Sequence, residues 1–423
     1  MAKSSFKSLA GFLHLWLGLA SGIVVIVVSI TGCIFVFEEE IRNITQKEYR
    51  FVQPESRAKI TTADAISILN KQFPGKQIEQ LRLFSQPDRA MIARLTDIEK
   101  INSKRPEKKK KTDTEEDEEN AKARIIVSLN PYSGQILGPW NMESDFLHMV
   151  EKIHKTLMLG EIGKWIIKVN IVVFLTMLLS GLVLWFPRKK NQVKNAFKMK
   201  FDAKWQRINY DFHNVLGFYF LIPLLLITLT GIWWAVKPSQ KLVYAVLGEG
   251  KKAKPKKVVS IIPTSQLAQK FSPAKAFESV SSRNAGWNEA HINFAKNLKD
   301  PIRVNLRYPY QIVRKQNTFE FDQYSGKLLK SEYFKDYSAA DKVKHANRTL
   351  HTGQAFGLFG KIIMFFASLF SATLPVSGFW IWYQKKNKKS NKKQPTRRAT
   401  TPVTATSSQN RRPVMQPSSV QQV

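Results

Sequence analysis

Histidine is the residue type whose placement in this chain points to chemistry. Of seven histidines in 423 residues, six fall into matched pairs and only His291 stands alone. His14 lies near the start of the apolar run 13–32 (LHLWLGLASGIVVIVVSITG), and His213 near the start of run 212–231 (FHNVLGFYFLIPLLLITLTG). In each run a glycine follows the histidine by four residues (Gly18, Gly217), and Thr-Gly arrives at the same interval (Thr31-Gly32, Thr230-Gly231). A second register is ungapped: His148, His154, Gly160, Gly163, Lys164 and Ser180-Gly181 match His345, His351, Gly357, Gly360, Lys361 and Ser377-Gly378. An imidazole inside an apolar span is costly and marks a functional site by default. Duplication would copy a structural histidine too, but two in register at such depth point to ligation.

Two histidines at one depth restrict what they can hold. Zinc takes four protein ligands, or three with one open position, and neither layer offers that at one point. His148 and His154 cannot converge, because six residues on a helix turn through about 240°. A haem iron has two axial positions, and one imidazole from each of two facing helices fills both. His14 with His213, and His154 with His351, are therefore expected to be the axial ligands of two b-type haems. His148 and His345 are alternates in the second layer, ranked lower because they lie farther from the apolar span.

The elements that must position these residues are four apolar spans, each near or above the ~20 residues that cross a bilayer. They are expected at 9–37, within 144–187 together with an outer helix, at 212–236, and within 342–384 with a second outer helix. The first is too long for the apolar core of a cleaved signal peptide and ends in FEEE, so it is read as an uncleaved helix. Residues 38–143 and 237–341 read as soluble α/β segments. The first has a capped helix at 61–73, strand-like stretches at 80–95 and 124–129, and a turn at 130–137 leading into another strand. The second has a helix near 263–271 and strands at 291–295, 303–308 and 318–321, with FDQYSGKLL echoing NPYSGQIL. The mixed-charge insert 99–121 and the basic tail 385–423 have little to bury and are expected to be disordered.

Charge sets the orientation. The formal net charge of +34 would suit nucleic acid, but the basic residues cluster beside the spans and in the tail, which argues against it. Lys and Arg mark the leader 1–8, the loop 188–211 and the tail, all on one side, so both termini are expected in the cytoplasm and both α/β segments outside. A repeat of two spans restores the original orientation, so the halves are related as parallel repeats and matched residues share a depth. The inner layer is then His14/His213 and the outer layer His154/His351. Trp16, Trp185, Trp233, Trp234, Trp380 and Trp382 lie near span ends and read as interface anchors. Gly32, Gly231, Gly181 and Gly378 would leave room for a macrocycle or serve plain helix packing. The one cysteine, Cys33, offers no disulfide framework.

FLHLWLGL with SITG, IHKTLMLGEIGKW with SGLVLWFP, DFHNVLG with TLTG, and LHTGQAFGLFGK with SGFWIW together resemble the PepSY-associated transmembrane-helix family. The resemblance covers nearly the whole chain apart from the insert and tail. It implies a bacterial inner-membrane protein with external PepSY-like domains, among whose relatives are haem-containing reductases of ferric siderophores in iron uptake. It also matches His14, His154, His213 and His351 to the histidines expected to ligate haem. With no Gly-rich dinucleotide fingerprint, the electron donor is expected to be a separate quinol or cytoplasmic reductase, and the acceptor a ferric siderophore or other chelate outside. The family also includes proteins linked to peptidase regulation, so the alternative is a haem-free sensor or scaffold that binds a peptide or peptidase.

Overall fold

Three helices are long and apolar enough to cross a membrane, and a bent pair makes a fourth candidate. The computed structural model describes residues 2–97, 124–141, 145–187, 189–248, 258–263, 270–310 and 312–391. The charged insert 99–121 and most of the tail, both expected to be disordered, lie outside them. The chain divides into Met1–Trp382 and Tyr383–Val423, and every contact below lies within the first.

Helix α1 (Ala2–Val36) runs into α2 (Glu38–Thr45) and α3 (Lys47–Arg50). After the first set of strands come α5 (Phe146–Thr156) and α6 (Gly160–Trp185). The corner between them uses left-handed backbone at Leu157, Met158 and Gly160. It is so tight that a Cβ on Gly163 would lie 1.6 Å from the Thr156 carbonyl oxygen. Its counterpart joins α11 (Ala339–His351) to α12 (Gly357–Asn391), where a Cβ on Gly360 would lie 2.1 Å from the Gly353 oxygen. These two matched glycines are thus fixed by close backbone approach.

The third apolar run, expected as a span at 212–236, is bent. Helix α7 (Trp205–Asp211) passes into a π-helical turn at Phe212–Leu216, and the axis bends by 62° before α8 (Leu221–Ala235). Pro223 supplies the reason: it has no N–H, and its ring opposes a carbonyl four residues earlier, so the helix restarts with the proline in its first turn. Leu221, Leu224, Leu178, Ala367 and Phe370 pack together where this element meets α6 and α12.

The soluble parts fold as α+β. Helix α4 (Thr62–Gln72) begins at a capping box, with Thr61 and Asp64 satisfying each other's backbone N–H groups. Strands β1 (Lys76–Phe84), β2 (Met91–Asp97), β3 (Arg124–Leu129) and β4 (Ile136–Asn141) form an antiparallel meander. The stretch expected at 80–95 is therefore the end of one strand, a turn and most of a second. After α9 (Lys237–Val246), the next helix among the described residues is α10 (Pro273–Ser281), beyond the one expected near 263–271. Residues 264–269 of the expected helix lie outside the described residues. Strands β5 (Glu289–Asn293), β6 (Ile302–Arg307), β7 (Gln316–Phe321) and β8 (Leu328–Glu332) make the second meander.

The sequence suggests two separate α/β domains, but their strands make one eight-stranded sheet ordered β4-β3-β2-β1-β5-β6-β7-β8. The join is antiparallel pairing of β1 with β5, Gln80 opposite Asn293 through Phe84 opposite Glu289. A bulge after Ile78 lets Ile78, Leu81 and Leu83 share one face despite their odd spacing. That face, with Leu95, Val127, Ile292, Val304 and Phe319, forms a core shared with α4 and α10 residues. The opposite face carries Gln80, Arg82, Glu289, His291, Asn305 and Arg307, and α3 lies over it with Tyr49 against Gly138 and Trp140.

Candidate functional site

The six paired histidines do not behave alike. The rings of His14 and His213 face each other with centroids 6.2 Å apart and planes at 84°. His154 and His351 do the same at 6.4 Å and 78°. The alternates lie against other groups. His148 Nδ1 is 4.0 Å from a Glu151 carboxylate oxygen, and its Nε2 is buried with no partner among the described residues. His345 packs on the Tyr337 ring at 4.8 Å.

Each facing imidazole is held from behind by a hydroxyl. His14 Nδ1 is 3.0 Å from Ser180 Oγ, and His213 Nδ1 is 2.8 Å from Ser377 Oγ. His154 Nδ1 is 3.0 Å from Thr31 Oγ1, and His351 Nδ1 is 2.8 Å from Thr230 Oγ1. All four hydroxyls already donate their single hydrogen to a carbonyl one turn back in their own helix: Met177 for Ser180, Val27 or Val28 for Thr31, Thr373 or Leu374 for Ser377, and Leu226 or Ile227 for Thr230. Their oxygens can therefore only accept, so Nδ1 carries the proton and donates. Each ring then keeps its Nε2 lone pair available for another group. For His154 and His351, which lie outside the apolar spans, burial pushes the pKa down to about 4 and about 3, with the partner imidazole adding to the effect at His351. Both are neutral at pH 7 and able to ligate.

The glycines after those hydroxyl residues make room for the rings. A Cβ on Gly181 would stand 3.2 Å from His14 Cε1, and one on Gly378 would stand 3.4 Å from His213 Cε1. Gly32 and Gly231 meet Cε1 of His154 and His351 at 3.4 and 3.6 Å in the same way. The missing side chain therefore admits the imidazole edge. Sequence reasoning noticed the Thr-Gly and Ser-Gly pairs but missed the hydroxyl as proton acceptor. The signal was present, since a hydroxyl residue precedes the glycine in all four copies. The second half adds two buried amides: Asn209 Nδ2 donates to the Ser377 carbonyl at 3.2 Å, and Asn347 Nδ2 to that of Thr230 at 3.0 Å. Trp234, expected only as an interface anchor, has its ring 5.2 Å from that of His351.

A metal–imidazole bond is about 2.0–2.1 Å and a ring nitrogen lies about 1.1 Å from the ring centre, so two imidazoles in line through one ion put their centroids about 6.2–6.4 Å apart. Both observed pairs meet that spacing. Among the described residues no three His, Cys, Asp or Glu gather at one point, so each pair could offer a metal two protein ligands at most. The two sites are well separated: His14 and Thr31, which holds His154, are seventeen residues apart on α1, about 26 Å of helix.

No curated protein matches this chain. The family model of the PepSY-associated TM region matches residues 12–385, and the chain belongs to that family.

Proposed function

We propose that the chain is an inner-membrane b-type cytochrome holding two haems, one per histidine pair, that moves electrons across the bilayer to a ferric chelate. The observation that supports this reading is the two imidazole pairs, with ring centroids 6.2 and 6.4 Å apart and every Nδ1 against a hydroxyl, which leaves Nε2 to ligate. Haem would be held by His14 and His213 at one level and by His154 and His351 at the other, and would supply one-electron transfer there. The chain's own residues set the conditions. Ser180, Ser377, Thr31 and Thr230 fix tautomer and ring orientation, which raises the basicity of the ligating nitrogen. Apolar spans exclude water from the inner pair.

The proposed layout has four spans in two parallel repeats, with the bent pair as the third, both termini cytoplasmic and the sheet outside, as the Lys/Arg bias favours. The two levels then approach opposite faces of a ~30 Å hydrocarbon core, so one site alone would not serve both sides. The donor is a separate molecule, quinol or a cytoplasmic reductase, and the acceptor docks at the sheet end. The test is optical. Purified protein should show a Soret band, a dithionite-shifted α band, and two haems per chain. His14→Ala or His213→Ala should remove one, and His154→Ala or His351→Ala the other, while His148→Ala and His345→Ala leave both. A colourless full-length protein from haem-replete cells would overturn the proposal in favour of a haem-free sensor.

A further inference from the structure

The polar face of the sheet carries an arginine array that no part of the histidine chemistry uses. Glu289 is at its centre. Arg82 Nε and Nη2 donate to Glu289 Oε1 at 3.1 and 2.6 Å, His291 Nε2 lies 2.5 Å from the same oxygen, and Arg314 pairs with Oε2. Arg307 Nη1 lies 3.8 Å from that second oxygen. Burial alone would raise the Glu289 pKa, but the His291 hydrogen bond and the flanking guanidiniums outweigh it and hold the carboxyl well below the usual range. One carboxylate thus answers three guanidiniums.

Next to it stand two more. Arg89 lies over the rings of Phe51 and Phe84, both at 4.7 Å, and its one side-chain hydrogen bond among the described residues is to Asn43 at 3.5 Å. Arg50, at the end of α3, is half-buried; its Nε is fully enclosed, and its guanidinium has no hydrogen-bond or ion-pair partner among the described residues. Burial pushes its pKa down to about 10, with Arg89, Arg82 and Arg42 adding repulsion that Glu39 offsets only in part. A protein does not ordinarily enclose an arginine among arginines, because an unanswered buried charge is expensive. Such a group makes sense when an anion completes it, and a guanidinium fork matches carboxylate or phosphate oxygens.

Residues around His351 contact the elements that flank the array. Gln354, three residues after His351, donates to Glu39 at 3.5 Å. Arg348, three residues before it, pairs with Glu38 at 2.7 Å, and Thr349 Oγ1 lies 3.1 Å from the Ile312 carbonyl oxygen in the β6–β7 connection.

We infer that Arg50 and Arg89, backed by Arg82, form the docking site for a multiply anionic, carboxylate-bearing ferric chelate above the His154/His351 level. This rests on the reductase reading for the identity of the metal, and it narrows the acceptor class to chelates of negative charge. Arg307 and Arg314 are held by Glu289 and shape the floor.

The test uses redox-inert gallium(III) citrate on the full-length protein in detergent, read by calorimetry. Wild-type protein should bind it saturably and more weakly as salt rises. Arg50→Gln and Arg89→Gln should each weaken binding at least tenfold without lowering the midpoint of thermal unfolding, and Arg50→Lys should fall between. A neutral gallium hydroxamate chelate should bind at least tenfold more weakly than gallium citrate. Equal binding by both glutamine variants, or equal binding of the neutral chelate, overturns the site. If metal-free citrate binds as tightly as its gallium complex, the site takes a simple carboxylate and the chelate assignment is overturned. Gallium binding needs no electron transfer, and the haem spectrum is read separately. Haem without gallium citrate binding therefore sinks the docking site alone, and binding without haem sinks the redox reading alone.

Discussion

Thr230→Val isolates the contribution of one hydroxyl while keeping the shape of the side chain. Thr230 Oγ1 accepts from His351 Nδ1 at 2.8 Å, and its own hydrogen is already committed to the α8 backbone. Valine removes the acceptor and leaves a buried N–H without a partner, which costs about 1–3 kcal/mol. Lost outer partners of a ligating histidine typically lower metal affinity about 10–100-fold, or roughly 1.4–2.7 kcal/mol, so the two scales agree. Asn347 still holds the Thr230 carbonyl, so the helix is expected to stay in place and the effect to stay local. Haem titration and redox potentiometry should show one of the two haems bound about 10–100-fold more weakly, with its potential raised because the ligating nitrogen is less basic. The inner haem should be unchanged. Ser377→Ala should give the mirror result, perturbing the inner haem only. Unchanged haem content and potentials in both variants would refute the assignment of Nδ1 as the held donor, and with it Nε2 as the ligating atom.

Gly163→Ala should abolish outer-level haem and spare the inner one, because its Cβ would have to occupy space 1.6 Å from the Thr156 oxygen and the α5–α6 corner would open; haem per chain should fall from two to one by pyridine haemochrome assay. For topology, periplasm-dependent reporter fusions should work at about residue 110 and fail at about residue 195, as the flanking charges require; the reverse pattern would invert the two levels. The pH dependence of stability has a named source in His291. Burial lowers its pKa to about 4, with Arg307 and Arg82 adding to the shift and the Glu289 hydrogen bond opposing it. Against ~6.5 in the unfolded chain, the shift is worth up to about 3 kcal/mol, present above pH ~6.5 and lost as pH falls toward 4. The midpoint of thermal unfolding should therefore drop between pH 7.5 and 5, and His291→Gln should flatten that drop.

The duplicated pattern made the histidines legible. His14 and His213 keep the same spacing to Thr-Gly, and His154 and His351 keep theirs to Ser-Gly, so residue type and interval alone pointed to two levels of paired imidazoles. Apolar run length pointed to the candidate spans, and the capped stretch at 61–73 to α4, because caps and spans are local properties of the chain. What lay beyond the sequence was how the two halves' strands meet and what stands behind each imidazole. Strand periodicity says which face of β1 is buried, but not that its free edge takes β5 from the other half, so two expected domains became one sheet. Hydroxyl side chains bond to carbonyls on their own helix in many contexts, and only the packing of α1 against α5, and of α6 against α1, turns them toward a histidine. Arg50, Arg82, Arg89, Glu289 and Arg307 span more than two hundred residues of sequence. They become one electrostatic site only because the β1–β5 pairing brings both halves to a single face, where charges separated along the chain share the same low-dielectric space.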